Sequence, residues 1–112
     1  MIHQMSLRPH PFEKIKLGEK TIELRLYDEK RKEIKVGDTI EFFLEPEKIE
    51  KVNVEVTALL NYKTFSDLID DFPTSVFGRI NKEDLLKALY SFYTKEEESE
   101  KTVLGIKIKL IT

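Results

Sequence analysis

The chain lacks cysteine and tryptophan, and it has only four glycines and four prolines among its 112 residues. The absence of cysteine excludes a disulfide framework, a thiolate-ligated metal site, an iron–sulfur cluster and a cysteine nucleophile. The glycines stand apart from one another, so no glycine-rich phosphate-binding loop is present. No window approaches the roughly 18 uninterrupted apolar residues of a membrane-spanning helix, and no signal-peptide pattern is visible. We therefore expect a cytoplasmic protein that contacts no membrane and carries no cofactor.

Acidic and basic side chains nearly balance, with 19 Lys and Arg against 21 Asp and Glu and a net charge of −2. This balance excludes a histone-like protein and a chain-wide polybasic binder of membranes. The distribution is uneven, because residues 8–35 carry nine basic and six acidic side chains. That local excess directs the search for a site to the first third of the chain.

Apolar periodicity predicts a mixture of strands and helices. Strands are expected at 2–7, 20–27, 39–44, 49–60 and 102–111, helices at 12–17, 65–70 and 82–92, and one helical turn at 74–77. The charged segments 28–35 and 95–101 are expected as a connection and a solvated loop. Short links between the early strands favour antiparallel pairing. We predict an α+β fold, namely a small, partly closed, mostly antiparallel β-barrel with helices covering one opening.

The strand over 20–27 has one aliphatic face and one polar or aromatic face: Ile22, Leu24 and Leu26 against Thr21, Glu23, Arg25 and Tyr27. Glu23 and Arg25 lie about 6.6–6.8 Å apart along such a strand and point to the same side. The planar fork of Arg25 suits a phosphate, a carboxylate or a base edge. Lys20 joins this pair only if the strand begins after it or bulges there. The alternative interpretation is a solvated strand face with a surface ion pair that adds little stability.

Residues 18–25, GEKTIELR, match the G-x-K-x-x-E-x-R signature of the ASCH domain family. Further segments resemble the family: LYDEKR at 26–31, VGDTI at 36–40, YKTF at 62–65 and VLGI at 103–106. The resemblance covers nearly the whole chain, so we expect one ASCH domain over residues 1–112. It implies a PUA-like barrel of five or six strands, with a cleft between barrel and helices that is proposed to bind RNA or a nucleotide-like ligand.

The same resemblance implies which residues line the cleft. Lys20, Glu23 and Arg25 match the signature and are expected to contact the ligand. Ser6 and Arg8 end the first strand, and its expected position in the barrel makes them candidates for the same site. Tyr27 shares a face with Glu23 and Arg25 and is expected either to stack on a base or to pack at the barrel rim.

Two other functions remain open at this point. One ASCH-like branch hydrolyses the acetyl amide of acetylated cytidine, with a lysine at the position of Lys20 and a threonine nucleophile at that of Glu23. In this chain Glu23 would instead serve as a general base on water while Lys20 stabilises an oxyanion. The third interpretation is a non-catalytic protein-interaction domain. The balanced composition favours a small ligand or a short single strand over a long RNA footprint.

The remaining candidates have ordinary interpretations beside functional ones. The basic residues of 30–35 suit phosphate binding, although neighbouring carboxylates favour a solvated turn. Phe92 is predicted to lie in the core, whereas Tyr93 fits either core packing or stacking. His3 and His10 lie seven residues apart, and no metal site is predicted from them.

Overall fold

The computed structural model describes residues 1–79 and 81–111. Its strands are β1 (Ile2–Leu7), β2 (Ile22–Leu26), β3 (Thr39–Leu44), β4 (Lys51–Tyr62) and β5 (Val103–Leu110). Its helices are α1 (Pro9–Lys16), α2 (Glu29–Lys32), α3 (Phe65–Asp70), α4 (Lys82–Leu89) and α5 (Lys95–Lys101), with a 3-10 turn at Thr74–Phe77. None of the helices described in these two ranges is long and apolar enough to cross a membrane.

The five strands form one sheet in the order β1-β3-β4-β5-β2. The β1–β3 pair is parallel, and the other three pairs are antiparallel. The long β4 changes register between Val56 and Ala58, where it pairs with β5. The first and second strands in the chain thus form the two edges of the sheet. This architecture confirms the predicted α+β class and the partly closed, mostly antiparallel barrel.

The apolar residues form two buried clusters, and the aliphatic residues of β2 belong to the second. One cluster fills the inside of the curved sheet and includes Phe12 and Ile15 of α1. The other contains the aliphatic face of β2 and packs it against α3, the 3-10 turn and α4. The polar side chains of Glu23 and Arg25 on the other face are also largely buried, although alternation along this strand predicts one buried and one solvated face.

Segment 95–101 is helical, so its prediction as a solvated loop is wrong. Thr94 and Glu97 form a reciprocal capping box at the start of α5. Glu98 is 5% exposed, and its carboxylate accepts from the Phe65 backbone N–H at 2.7 Å and the Tyr90 hydroxyl at 2.8 Å. Burial, together with the bond to this carboxylate, raises the pKa of Tyr90 to about 12. The helix buries a glutamate rather than an apolar stripe, so hydrophobic periodicity carries no signal for it.

Other elements also differ from those expected; for example, α1 begins at Pro9 instead of residue 12, and β4 runs over Lys51–Tyr62 instead of 49–60. Segment 28–35, expected as a connection, begins with the short helix α2, whose first turn is capped by Asp28 accepting from the Arg31 N–H at 3.0 Å. The helix α4 ends at Leu89, three residues before the predicted end. The chain then turns, and Phe92 is 53% exposed. The prediction that Phe92 lies in the core is therefore wrong.

Glu98→Ala should lower the free energy of unfolding by about 2–3 kcal/mol, because the Phe65 N–H and the Tyr90 hydroxyl lose a charged acceptor in a buried position. Glu100→Ala removes an exposed carboxylate from the same helix and should change stability by less than about 0.5 kcal/mol. Urea unfolding measures both. Equal effects of the two substitutions would contradict the stabilising role of the hydrogen bonds that the Glu98 carboxylate accepts.

Candidate ligand-binding cleft

A cleft of about 1290 Å³ opens between the free edges of the sheet and the end of α4. Its walls come from the end of β1, the polar face of β2, and the segments on either side of α4. Pockets for small ligands usually enclose roughly 300–1,000 Å³. The cleft is therefore large enough for a ligand of more than one nucleotide.

At the floor of the cleft, the Glu23 carboxylate is held between two cations. Lys20 Nζ lies 2.7 Å from Oε1, and Arg25 Nε donates to Oε2 at 2.8 Å. The Leu24 backbone N–H also donates to Oε1, at 3.2 Å. Glu23 is only 3% exposed. The interpretation of this face as a solvated surface with a weak ion pair is therefore wrong.

The position of Lys20 follows from the turn between α1 and β2. Gly18, at a φ of 76°, ends α1 in the left-handed conformation that suits glycine. The backbone N–H groups of Glu19 and Lys20 then both donate to the Lys14 carbonyl, at 2.9 and 3.0 Å. Because β2 begins only at Ile22, Lys20 is not bound by strand alternation and turns toward Glu23. Lys20 therefore joins Glu23 and Arg25, as expected for a strand that begins after Lys20.

A second glycine lets the 3-10 turn approach Lys20 closely. Gly78 has a φ of 76°, and a Cβ atom there would lie 3.1 Å from Lys14 Cβ and 3.3 Å from Lys20 Cβ. The Thr21 N–H donates to the Val76 carbonyl at 2.8 Å, which fixes the backbone beside Lys20. The aliphatic stem of Lys20 is thus packed before its ammonium group reaches Glu23.

The two cations decide the ionisation of Glu23. Burial by itself would raise the pKa of this carboxyl, but the charges and hydrogen bonds of Lys20 and Arg25 outweigh it and lower the pKa to about 2. Both oxygens are already engaged. A carboxylate with so low a pKa accepts a proton poorly near neutral pH, which disfavours Glu23 as a general base.

Arg25 connects the two edges of the sheet. While Nε binds Glu23, Nη2 donates to the Ser6 carbonyl of β1 at 3.0 Å. The Glu23 carboxylate raises the pKa of Arg25 despite an opposing contribution from burial. Ser6 thus takes part through its backbone oxygen. The guanidinium plane is thus fixed from two sides.

The structure brings five of the six proposed ligand-binding residues to this cleft. Ser6, Arg8, Lys20, Glu23 and Arg25 line it. Tyr27 packs against the cluster inside the barrel, with Lys32 Nζ 5.5 Å from its ring centroid. Tyr27 is not among the described residues that line the cleft. Its packing corresponds to the barrel-rim alternative.

The cleft gathers positive charge from across the chain. Eight Lys and Arg side chains line it, against three carboxylates: Arg8, Lys20, Arg25, Lys30, Arg31, Lys48, Arg79 and Lys87, against Glu23, Glu45 and Asp84. The cleft lining thus carries a formal charge of +5 in a chain of net charge −2, which leaves −7 for all other residues. Five of the eight cations belong to the basic first third. The other three come from distant segments, which sequence order alone does not bring together.

Arg31 and Tyr93 complete the inner wall. Arg31 Nη1 pairs with Asp28 Oδ2 at 3.1 Å, and its side chain is 15% exposed. Its Nε is buried and has no hydrogen-bond partner among the described residues. Tyr93 stacks on Phe65 with ring centroids 5.7 Å apart, and its pKa is raised by burial, with the Arg25 and Arg31 charges opposing. The preference for a solvated turn at 30–35 therefore fails for Arg31.

The histidines lie outside this charge cluster or at its margin. His3 Nε2 lies 2.8 Å from Asp38 Oδ2, and His10 Nε2 lies 3.1 Å from the Gly78 carbonyl at the cleft edge. In the part of the chain that the structure describes, no group of three or more His, Cys, Asp or Glu residues is placed to hold a metal ion.

Comparison with known proteins places the chain in a family. The model of the ASCH domain matches residues 5–112. The chain belongs to the ASCH domain family. This membership confirms the resemblance carried by residues 18–25. A search of curated proteins found no match.

Solved structures agree with this assignment. The chain is 34% identical to the hypothetical protein PH0355, with a TM-score of 0.86 and coverage of 99% of this chain and 100% of the other. It is also 34% identical to PF0455 from Pyrococcus furiosus, with a TM-score of 0.76 and coverage of 99% and 98%. An ASCH domain from Lactobacillus crispatus is 16% identical, with a TM-score of 0.70 and coverage of 96% and 79%. The last likeness concerns the fold alone, and it confirms the PUA-like architecture.

Acid should weaken the stabilisation that depends on Glu23. Its folded-state pKa is depressed, so this stabilisation is complete above the unfolded pKa of about 4.5 and is lost as pH falls toward about 2. We expect Glu23→Gln to lower the free energy of unfolding by about 3 kcal/mol at pH 7. The difference between the wild type and this variant should shrink steadily below about pH 5.

Urea unfolding of both proteins between pH 7 and pH 3 measures that difference. Glu19→Gln, which removes an exposed carboxylate from the same segment, is the matched control and should lie close to the wild type at every pH. A difference for Glu23→Gln that stays constant from pH 7 to pH 3 would show that its charge does not stabilise the fold.

Proposed function

We propose that residues 1–112 act as one ASCH domain whose cleft binds a short single-stranded RNA segment or a nucleotide-like ligand. The carrying observation is the concentration of eight Lys and Arg side chains in one cleft of an otherwise acidic chain. Phosphate groups suit such a cluster, because arginine donates to them in a planar fork and lysine supplies a point charge. Membership of the family supports the same ligand class.

Preorganisation supports a role in binding. Arg25 is fixed by Glu23 and by the Ser6 carbonyl, and Arg31 is fixed by Asp28. Side chains that are already ordered lose little conformational entropy when a ligand arrives. Both arginines lie close enough to Tyr93 to influence its ionisation. The inner wall therefore offers fixed donors for the phosphate of a nucleotide.

Charge also limits the length of the ligand. The residues outside the cleft lining carry a formal charge of −7, which repels a polyanion that extends over the rest of the surface. The volume of about 1290 Å³ suits a few nucleotides. We therefore favour a short strand over a long duplex. Cytoplasmic RNA or its fragments would supply such ligands.

The geometry favours binding over hydrolysis of an acylated nucleoside. An amidohydrolase in this cleft would need Glu23 to take a proton from water, whereas its pKa of about 2 and its engaged oxygens oppose that step. A protein-interaction role would require a partner with an acidic segment that fits this basic lining. Incubation with acetylated cytidine tests the amidohydrolase alternative. Turnover by the wild type that is lost in Lys20→Ala would establish an enzyme.

The direct test measures binding of RNA tetranucleotides, mononucleotides and nucleosides by thermal shift and calorimetry. A ligand at 100 times its dissociation constant should stabilise the fold by roughly 2.7 kcal/mol. Affinity for a tetranucleotide should fall with salt, with a slope of about −0.7 per phosphate contact. Wild-type protein that binds none of these probes at low salt would overturn the proposed function.

Lys87→Gln should weaken tetranucleotide binding about five-fold at low salt and reduce the salt slope by about 0.7, because one cleft cation is removed. Lys101→Gln is the matched control, since Lys87 and Lys101 are both exposed lysines in the last turn of a helix. Lys101 is outside the described cleft lining, and its replacement should leave binding unchanged. Equal weakening by both would mean that the cleft is not the binding surface.

A further inference from the structure

Phe92 is an exposed aromatic side chain at the mouth of the cleft. It is 53% exposed, whereas each of the other aromatic side chains in residues 1–79 and 81–111 is buried or only partly exposed. It follows the end of α4 and lines the cleft beside Tyr93, with ring centroids 6.3 Å apart. The ring is thus only partly buried, and it lies where a ligand in the cleft can reach it.

The guanidinium of Arg8 covers this ring. Its Cζ lies 4.1 Å from the Phe92 centroid, which is a close cation–π contact. Arg8 comes from the end of β1 and Phe92 from the end of α4, so the contact spans the mouth. Within residues 1–79 and 81–111, no carboxylate forms an ion pair with Arg8. The flat guanidinium thus occupies the position in which another flat, polarisable group would stack.

We infer that Phe92 is a stacking platform for one nucleobase and that Arg8 covers the platform until the base arrives. This inference rests on the proposed function and names the part of the ligand that the mouth recognises. Every base presents a π-face, so stacking on an aromatic ring gives affinity with little sequence preference. An exposed cation–π contact is weak and is readily exchanged for such a stack. The displaced Arg8 then becomes a donor for phosphate.

The site consequently has a direction. Arg25 at the floor adjoins Arg31 and Tyr93 of the inner wall, and the fixed donors of this inner part suit phosphate. Phe92 and Arg8 form the mouth, where an exposed ring suits a base. A ligand that bears both groups therefore places its phosphate inward and one base at the mouth. A phosphorylated sugar without a base would use only the inner wall.

The first experiment distinguishes the contribution of the base to affinity from that of the phosphates. Tetrauridylate and an abasic ribose-phosphate tetramer of the same charge are titrated into the wild type, Phe92→Ala and Phe92→Leu. We expect both substitutions to weaken tetrauridylate binding, by about 5- to 100-fold for Phe92→Ala, and to leave the abasic tetramer unaffected. Val36→Ala shortens an exposed apolar side chain outside the described cleft lining and should change neither affinity.

A second measurement uses the absence of tryptophan from the chain. Phe92→Trp places a single fluorophore on the platform and should retain binding, because indole also stacks on bases. Its emission should change on addition of tetrauridylate and stay constant with the abasic tetramer. Val36→Trp is the exposed control and should show no change with either probe.

Arg8→Gln tests the covering role, because its two effects differ in sign. Uridine carries no phosphate, so its affinity should rise about two- to five-fold when the competing guanidinium is removed. Tetrauridylate should bind more weakly, since a phosphate donor is lost. Equal weakening of both ligands would contradict the covering role.

The outcomes distinguish this inference from the proposed function. If the wild type binds tetrauridylate and Phe92→Ala binds it equally well, the stacking platform is wrong and RNA binding stands. The same conclusion follows if the wild type binds the abasic tetramer as tightly as tetrauridylate. If the wild type binds no nucleotide probe, both proposals fail.

Discussion

The arrangement of the cleft depends on one buried negative charge, the carboxylate of Glu23. It is compensated by Lys20 on one oxygen and by Arg25 on the other. Removal of either cation would leave the charge partly unpaired in a place with little access to water, which is costly. Because Arg25 is held there, its second nitrogen reaches the Ser6 carbonyl. The ion pair therefore sets both the cavity floor and the spacing of the sheet edges.

This dependence links stability and binding at the floor but not at the mouth. A substitution at Glu23 or Arg25 changes the fold and the ligand contacts together, so loss of binding there has two explanations. Lys87 and Phe92 are exposed and belong to the short segment at the end of α4. Their replacement changes charge or stacking with little effect on packing. Residues at the mouth are accordingly the informative positions for identifying a ligand.

The sequence predicts most of the backbone, because the strands follow a two-residue period and the helix α3 follows a clear apolar stripe. The signature also places Lys20, Glu23 and Arg25 together. The alternation of apolar and polar residues cannot reveal that the polar face of β2 is buried. It assigns every charged side chain to the solvated face, whether or not that side chain has a partner of opposite charge. Hydrophobic periodicity fails to predict helix α5 for the same reason, because the buried residue of this helix is the charged Glu98.

The ligand class depends on local rather than total charge. At physiological ionic strength the Debye length is about 8 Å, whereas the molecule measures 32 × 29 × 26 Å. A short nucleotide inside the cleft would therefore experience mainly the positive charge of the lining, reduced by the Asp28 carboxylate that pairs with Arg31, while the distant acidic surface is largely screened. Each nucleotide added beyond the mouth leaves this region and approaches carboxylates. The balanced composition is thus compatible with the proposed nucleotide binding because the cations converge in space, and the same balance would restrict that binding to a short strand.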